Sequence, residues 1–271
     1  MSGPEKYSSV IGDRIHRWWP LRQKVDLIWH LVWRDFVLRY KRSLLGILWS
    51  FISPLAQLLV LVFLFKKIIP LDIEAYPAFV FCALLPWVWF SSSLNSSGGL
   101  FLYNRDLVRR PNFEPSILVT VNTLSNLIHY LIFLPILFLI LALYGRPVGM
   151  SLVVLPLLLL IQIILIIGLS LMIATLNVFY RDVEQMVGLG TMLLFYLTPV
   201  FYRPQVIGEK FLILFTLNPV AVLVQGYRQV LFYGQTPDWG SLLFAGGIGC
   251  LLFGLGYFIY NRQLSKVFDT I

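Results

Sequence analysis

Six long apolar runs decide what this chain can become. They are Leu44–Phe65, Tyr76–Leu100, Ile117–Tyr144, Leu152–Phe179, Val183–Phe201 and Ser241–Tyr260. A helix needs roughly 20 mostly apolar residues to cross the hydrocarbon core of a bilayer. Only a helix or a closed barrel satisfies its own backbone polar groups there. No Asp, Glu, Lys or Arg lies near the middle of any run. The single charge within their limits is Glu184, at the mouth of the fifth. Only 13% of the 271 residues are charged, against about 25% in ordinary soluble domains, and mean hydropathy is +0.80. The expectation is an all-α integral membrane protein with six transmembrane helices. Charges inside a membrane helix mark proton relays and ion sites. Their lack in these runs argues against proton- or sodium-coupled transport.

The basic residues give the orientation, because cytoplasmic loops carry the excess of Lys and Arg. With the N-terminus inside, fifteen of the 21 lysines and arginines fall on the inner side. Six fall outside: Lys66, Lys67, Arg146, Arg203, Lys210 and Arg228. Both termini are therefore expected in the cytoplasm. The polar first forty-odd residues predict no cleavable signal peptide. A net charge of +8 is accounted for by this placement at the membrane, and no nucleic-acid partner is expected.

Two regions depart from simple spans. In Pro20–Gly46, apolar Leu21, Val25, Ile28, Val32 and Phe36 recur at helical spacing. Gln23, Asp26, His30 and Arg34 gather opposite, while Asp35 and Arg39 break the pattern. This predicts an amphipathic helix along the cytoplasmic surface, its basic residues meeting lipid headgroups. Residues 1–43 form a cytoplasmic N-terminal region, and 44–271 a six-span transmembrane domain. In Arg203–Gly240, Asn218-Pro219 splits two apolar pieces that are each too short to span. Proline disfavours helix just before itself. Two short re-entrant helices at the outer face are expected here. The alternative is a kinked seventh span, which would put the C-terminus outside.

Chemistry is sparse. Cys82 and Cys250 lie in apolar runs, and His16, His30 and His129 do not cluster. No disulfide, metal site or catalytic set follows. Asp72 and Glu74 are the only close outer carboxylates, with no histidine near, which leaves a membrane glycosyl- or acyltransferase as a weak alternative. No G-x-x-x-x-G-K-[ST] occurs, so the chain has no phosphate-cradling loop. It binds no cofactor of its own. Energy for transport must come from a partner at the cytoplasmic face. The turn Tyr180-Arg181-Asp182-Val183-Glu184-Gln185 surfaces there between two uncharged runs. Its mix of aromatic and charged residues suits an interface.

Three stretches carry a resemblance. Arg34–Leu55 (RDFVLRYKRSLLGILWSFISPL), Leu176–Val183 (LNVFYRDV) and Leu217–Gly234 (LNPVAVLVQGYRQVLFYG) resemble, in order and spacing, the ABC-2 type permeases of bacterial polysaccharide exporters. That family comprises exporters of O-antigen, capsule and teichoic acid, working as two permeases with two ATPase subunits. The resemblance implies a homodimer in the inner membrane, a non-hydrolytic role for this chain, and ATP and Mg bound on the partner. It makes the loop with Asp106, Arg109 and Arg110 a first coupling element. The turn with Tyr180, Arg181, Asp182 and Glu184 becomes a second. It places Asn218 and Pro219 at an outer gate, and a channel between the first and fifth spans of two copies.

Aromatic residues make up 15% of the chain. Many belong at the lipid interfaces. Trp49, Phe51, Trp87, Trp89, Phe195 and Tyr196 sit deeper in their runs and are candidates to line a substrate channel. Aromatic faces suit the C–H faces of sugar rings and suit lipid tails equally. Composition alone therefore leaves glycan, lipid and drug export open, and the resemblance favours a glycan or lipid-linked glycan.

Overall fold

The structure, a computed structural model, describes residues 21–41, 48–69, 71–146, 149–204 and 212–271. Among them no strand occurs. The helices are α1 (Leu21–Tyr40), α2 (Leu48–Phe63, prolonged by a π turn, Leu64–Ile68) and α3 (Tyr76–Ser97). Two single turns follow, α4 (Leu100–Tyr103) and α5 (Arg105–Val108). Then come α6 (Ser116–Leu143), α7 (Leu155–Phe179, after a 3-10 turn, Met150–Val154) and α8 (Asp182–Leu197). The last three are α9 (Leu212–Leu217), α10 (Pro219–Leu231) and α11 (Trp239–Thr270).

Each expected apolar run is one helix, but the lengths differ. Tyr76–Ser97, Ser116–Leu143, Met150–Phe179 and Trp239–Thr270 are long and apolar enough to cross a membrane. α2 and α8 have 16 residues each, about 24 Å of helix, short of a ~30 Å hydrocarbon core. α11 runs ten residues past the expected end at Tyr260. The break at Asn218-Pro219 divides two helices as the sequence suggests. Asn218 Oδ1 accepts from the N–H groups of Val220 and Ala221, and Pro219 takes the first helical position, where no N–H is needed.

α3 is the central helix. It packs against α2, α6, α7, α8 and α10, and Phe79–Leu84 are wholly buried. The largest interface joins α7 to α11, and glycines make it. A Cβ on Gly168 would fall 2.5 Å from Phe253 N and 2.6 Å from its Cα, and one on Gly256 would collide with the Gly168 carbonyl. Small residues let membrane helices approach this closely. Leu139, Leu143, Leu160, Leu251 and Phe258 meanwhile face outward, as a lipid-facing surface requires.

α1 packs along the first half of α6 with more than one apolar face. Leu31 and Val32 are buried against Ile117 and Val121. Val25, Trp29, Trp33 and Val37 form a separate exposed stripe. The expected stripe therefore divides: Val32 turns inward, while Val25 is 61% exposed. Asp35 and Arg39, which break the sequence pattern, pair with each other at 3.3 Å. Arg39 also donates to Asn126 Oδ1 on α6.

Gly168→Leu should lower the thermal stability of the detergent-solubilised protein by about 1–3 kcal/mol or more, because backbone has to yield on both sides. Gly254→Leu, whose Cβ would meet nothing within 4 Å, should be close to neutral. Equal effects at the two sites would refute the close α7–α11 crossing.

Candidate functional site

The two sequence-predicted loops meet at the end of α3. There the chain turns through Gly98 and Gly99 into α4 and α5. A side chain on Gly99 would collide with the Tyr103 ring. The loop then runs through Asn112, whose φ of +66° is a left-handed conformation that Asn tolerates. Glu114 closes it. Its carboxylate takes Lys24 of α1 at 2.9 Å and the Ser116 hydroxyl at 2.8 Å. Burial pushes this carboxyl up, but the hydrogen bonds from Lys24 and Ser116 and the Lys24 charge outweigh it and hold it below its usual value. The Ser116 N–H donates to the Tyr260 hydroxyl of α11, and Arg109 donates to the Ile271 carbonyl. Val108 and Phe101 are buried beneath, with Val267 and Ile271. Asp106, Arg109 and Arg110 are exposed. The loop is thus a rigid knuckle presenting charge.

The α7–α8 turn lies beside it, joined by Asn177. This residue is 1% exposed. Its Nδ2 donates to the Gly98 carbonyl at 2.8 Å, and its Oδ1 accepts from the Glu184 N–H at 3.0 Å. The amide therefore ties the end of α3 to the first turn of α8. A side chain on Gly98 would sit 3.0 Å from Glu184 Cβ, so the contact depends on glycine. Phe179 packs into its own chain's cluster with Phe101 and Val178, whereas Tyr180 is 67% exposed. Arg181 and Asp182 are exposed, and Glu184 is half-buried. Asp182 and Glu184 stand in the first turn of α8, where negative charge suits the helix dipole. Among the described residues, neither these nor Arg181 form an ion pair. Asn177 was not singled out by sequence. The available signal was an amide three residues before the turn, one of two in an apolar run with Gln162.

The predicted channel residues are placed unevenly. Trp87 and Trp89 are buried, at 4% and 2% exposure. Trp89 Nε1 donates to the Thr123 carbonyl, and the Trp87 ring lies 5.5 Å from that of Phe195. Phe195 is half-buried and Tyr196 is 60% exposed. The side chains of Trp49 and Phe51 lie outside the described residues. At the other end, Asn218 Nδ2 donates to Thr198 Oγ1 at 3.3 Å, linking α10 to the turn after α8.

Sequence reasoning missed Arg228, which it counted as an outer loop charge. Arg228 is 1% exposed. Its Nη2 donates to the carbonyls of Pro199 and Val200 at 2.9 and 2.8 Å, and its Nε to that of Phe79 at 3.4 Å. The guanidinium lies 3.7 Å over the Phe79 ring. The carboxylate of Glu74, weighed above as a catalytic group, pairs with Arg146 at 2.9 Å.

Residues 26–232 match the family model described as ABC-2 type transporter. An O-antigen export system permease protein RfbA of Klebsiella pneumoniae is 34% identical over 235 residues, covering 86% of this chain and 91% of that protein. One of Myxococcus xanthus with the same name is 29% identical over 253 residues, covering 93% of this chain and 97% of that protein. With a family model matching most of its length and a relative of such identity, this chain belongs to the ABC-2 type transporter family.

Proposed function

We propose that this chain is the permease subunit of an ATP-driven exporter that moves a lipid-linked polysaccharide out across the bacterial inner membrane. The observation that carries the reading is the near full-length likeness to permeases named for O-antigen export. In this reading two copies assemble with two ATPase subunits, which hold ATP and Mg. The chain itself hydrolyses nothing. The force of nucleotide closure enters through the exposed charges of the 104–115 loop and of Arg181 and Asp182. Because Asn177 fastens one loop's root to the other's, a push on either reaches α3 and α8 together.

Six spans remain the preferred topology. α2 with its π turn covers Leu48–Ile68, about 30 Å of helix. α8 with the turn after it makes the fifth span. α9 and α10 are the re-entrant pair, both termini are cytoplasmic, and the N-terminal 43 residues lie at the inner surface. The channel runs between two copies, bounded by α2 and α8. Tyr196 is its best-placed aromatic, Trp49, Phe51 and Phe195 are further candidates, and Trp87 and Trp89 support the wall from within. Asn218 and Pro219 stand at the exit.

Three outcomes check this. Single cysteines read in intact cells should be labelled from outside at position 235 but not at position 266; the reverse would establish the seven-span arrangement. In a strain lacking the chain, surface polymer should be lost while polymer collects inside. Arg181→Ala combined with Asp182→Ala should leave the chain in the membrane but weaken ATPase association, by about 0.2–1 kcal/mol per exposed rim charge and more where desolvated. Normal export and normal ATPase pull-down in that variant would remove the turn from the coupling machinery.

A further inference from the structure

Towards its inner end α3 changes character, through Ser91-Ser92-Ser93-Leu94-Asn95-Ser96-Ser97. Part of this run serves the interior. Ser93 and Ser97 are wholly buried, and Asn122 of α6 donates to the Ser93 carbonyl at 2.9 Å. The rest does not. Ser92, Asn95 and Ser96 fall at i, i+3 and i+4, share one helix face, and are exposed. Ser96 Oγ donates to Asn122 Oδ1 at 2.7 Å, and Asn95 Oδ1 accepts from Thr191 Oγ1 of α8 at 3.1 Å. Among the described residues, the side-chain hydroxyl of Ser92 and the amide N–H groups of Asn95 make no hydrogen bond.

The strip is held from both sides. Asn126 donates to Asn122 Oδ1 and itself accepts from Arg39 of α1, so the amide that anchors Ser96 is fixed in orientation. On α8, a side chain at Gly188 would meet only open space, which leaves the strip accessible on that flank. Thr191 stands seven residues beyond Glu184, about 10 Å along α8. In a membrane-spanning reading the strip therefore lies in the inner half of the hydrocarbon. Hydroxyl and amide groups facing lipid at that depth would be left unsatisfied at a cost. They need a polar occupant. The exposed groups are neutral donors and acceptors, which match sugar hydroxyls and hold them without the charge trap that would stall a moving chain.

We infer that Ser92, Asn95 and Ser96 form a hydrogen-bonding strip for the hydroxyl groups of the polysaccharide at the inner mouth of its path. The inference rests on the export reading above and adds a site to it. Ser92→Leu with Asn95→Leu removes the two open ends and spares the buried network, because Thr191 keeps its bonds to the Val187 and Gly188 carbonyls. Surface polymer should fall by about tenfold, the scale of two neutral hydrogen bonds. Yield of the permease–ATPase complex and its basal ATP hydrolysis should not change. Ser92→Thr with Asn95→Gln should restore export. A benzoylphenylalanine at position 95 should cross-link to polymer in exporting cells, and one at Leu139 should not. Unchanged surface polymer in the leucine variant would overturn the strip. So would loss of the complex, or cross-linking of position 95 to a second copy of the chain, either of which would make this face a subunit contact. A deletion strain with normal surface polymer would instead overturn the export reading, and the strip with it.

Discussion

A buried guanidinium, with no acid partner among the described residues, ties three parts of this molecule together. Arg228 carries five N–H donors in a rigid fork. It directs them at the carbonyls of Phe79, Pro199 and Val200 and at Gln225 Oε1. Phe79 supplies an aromatic face to the charge, a favourable arrangement when desolvated. The three carbonyls belong to α3 and to the turn that follows α8. One residue of α10 therefore holds three parts of the chain in register. Tyr76 adds a bond to the Phe201 carbonyl, and Asn218 one to Thr198. The turn after α8 is gripped from three directions.

The same device recurs down α3. In lipid, apolar contact gives little net drive for helices to associate, so packing and interhelical hydrogen bonds do the work. Backbone carbonyls of Phe79, Pro86, Ser93 and Gly98 accept from Arg228 of α10, Gln162 of α7, Asn122 of α6 and Asn177 of α7. Each donor is at least 96% buried. α3 is thus an axis to which α6, α7 and α10 are pinned, from the Arg228 clasp at one end to the knuckle beside the α7–α8 turn at the other. α8 attaches at both ends, through Asn177 at its start and through Arg228 just past its finish. The 16 helical residues of α8 connect the α7–α8 turn to the clasp at α10. α8 thus runs between two polar, buried anchors, Asn177 and Arg228.

Much of this was legible in the sequence, and the rest was hidden for a definite reason. Apolar runs located six helices, four of them long enough to span, with ends good to a few residues except at α11, which runs ten residues further, because charge is costly inside a span and loops collect what spans exclude. Asn218-Pro219 marked a break between two helices because proline disfavours helix just before itself, and the structure adds that Asn218 caps α10. What sequence could not separate was lipid from protein, since both sides of a membrane helix are equally apolar. Trp87, Trp89 and Tyr196 look alike in composition, yet the first two are core and the third is exposed. For α1, two apolar faces merged into one predicted stripe, and Asp35 and Arg39 seemed to spoil a pattern that their contact with each other and with α6 explains. Arg228 defied a rule that is usually safe, that an arginine near a loop belongs to solvent. The cue was its place on an otherwise apolar face of α10.

The Arg228 clasp holds α10 and the turn after α8 to α3. A double-mutant cycle at Arg228 and Phe79 tests it most directly, with thermal unfolding of the purified chain in detergent as the readout. Arg228→Met keeps length and removes every donor. It should destabilise by about 1–3 kcal/mol for each carbonyl left unpaired and buried. Phe79→Leu should cost less, and the two should couple by about 0.5–2 kcal/mol because they lose the same stacked contact. A stable Arg228→Met protein, with strictly additive effects across the cycle, would contradict the claim that this guanidinium holds α10 and the turn after α8 to α3.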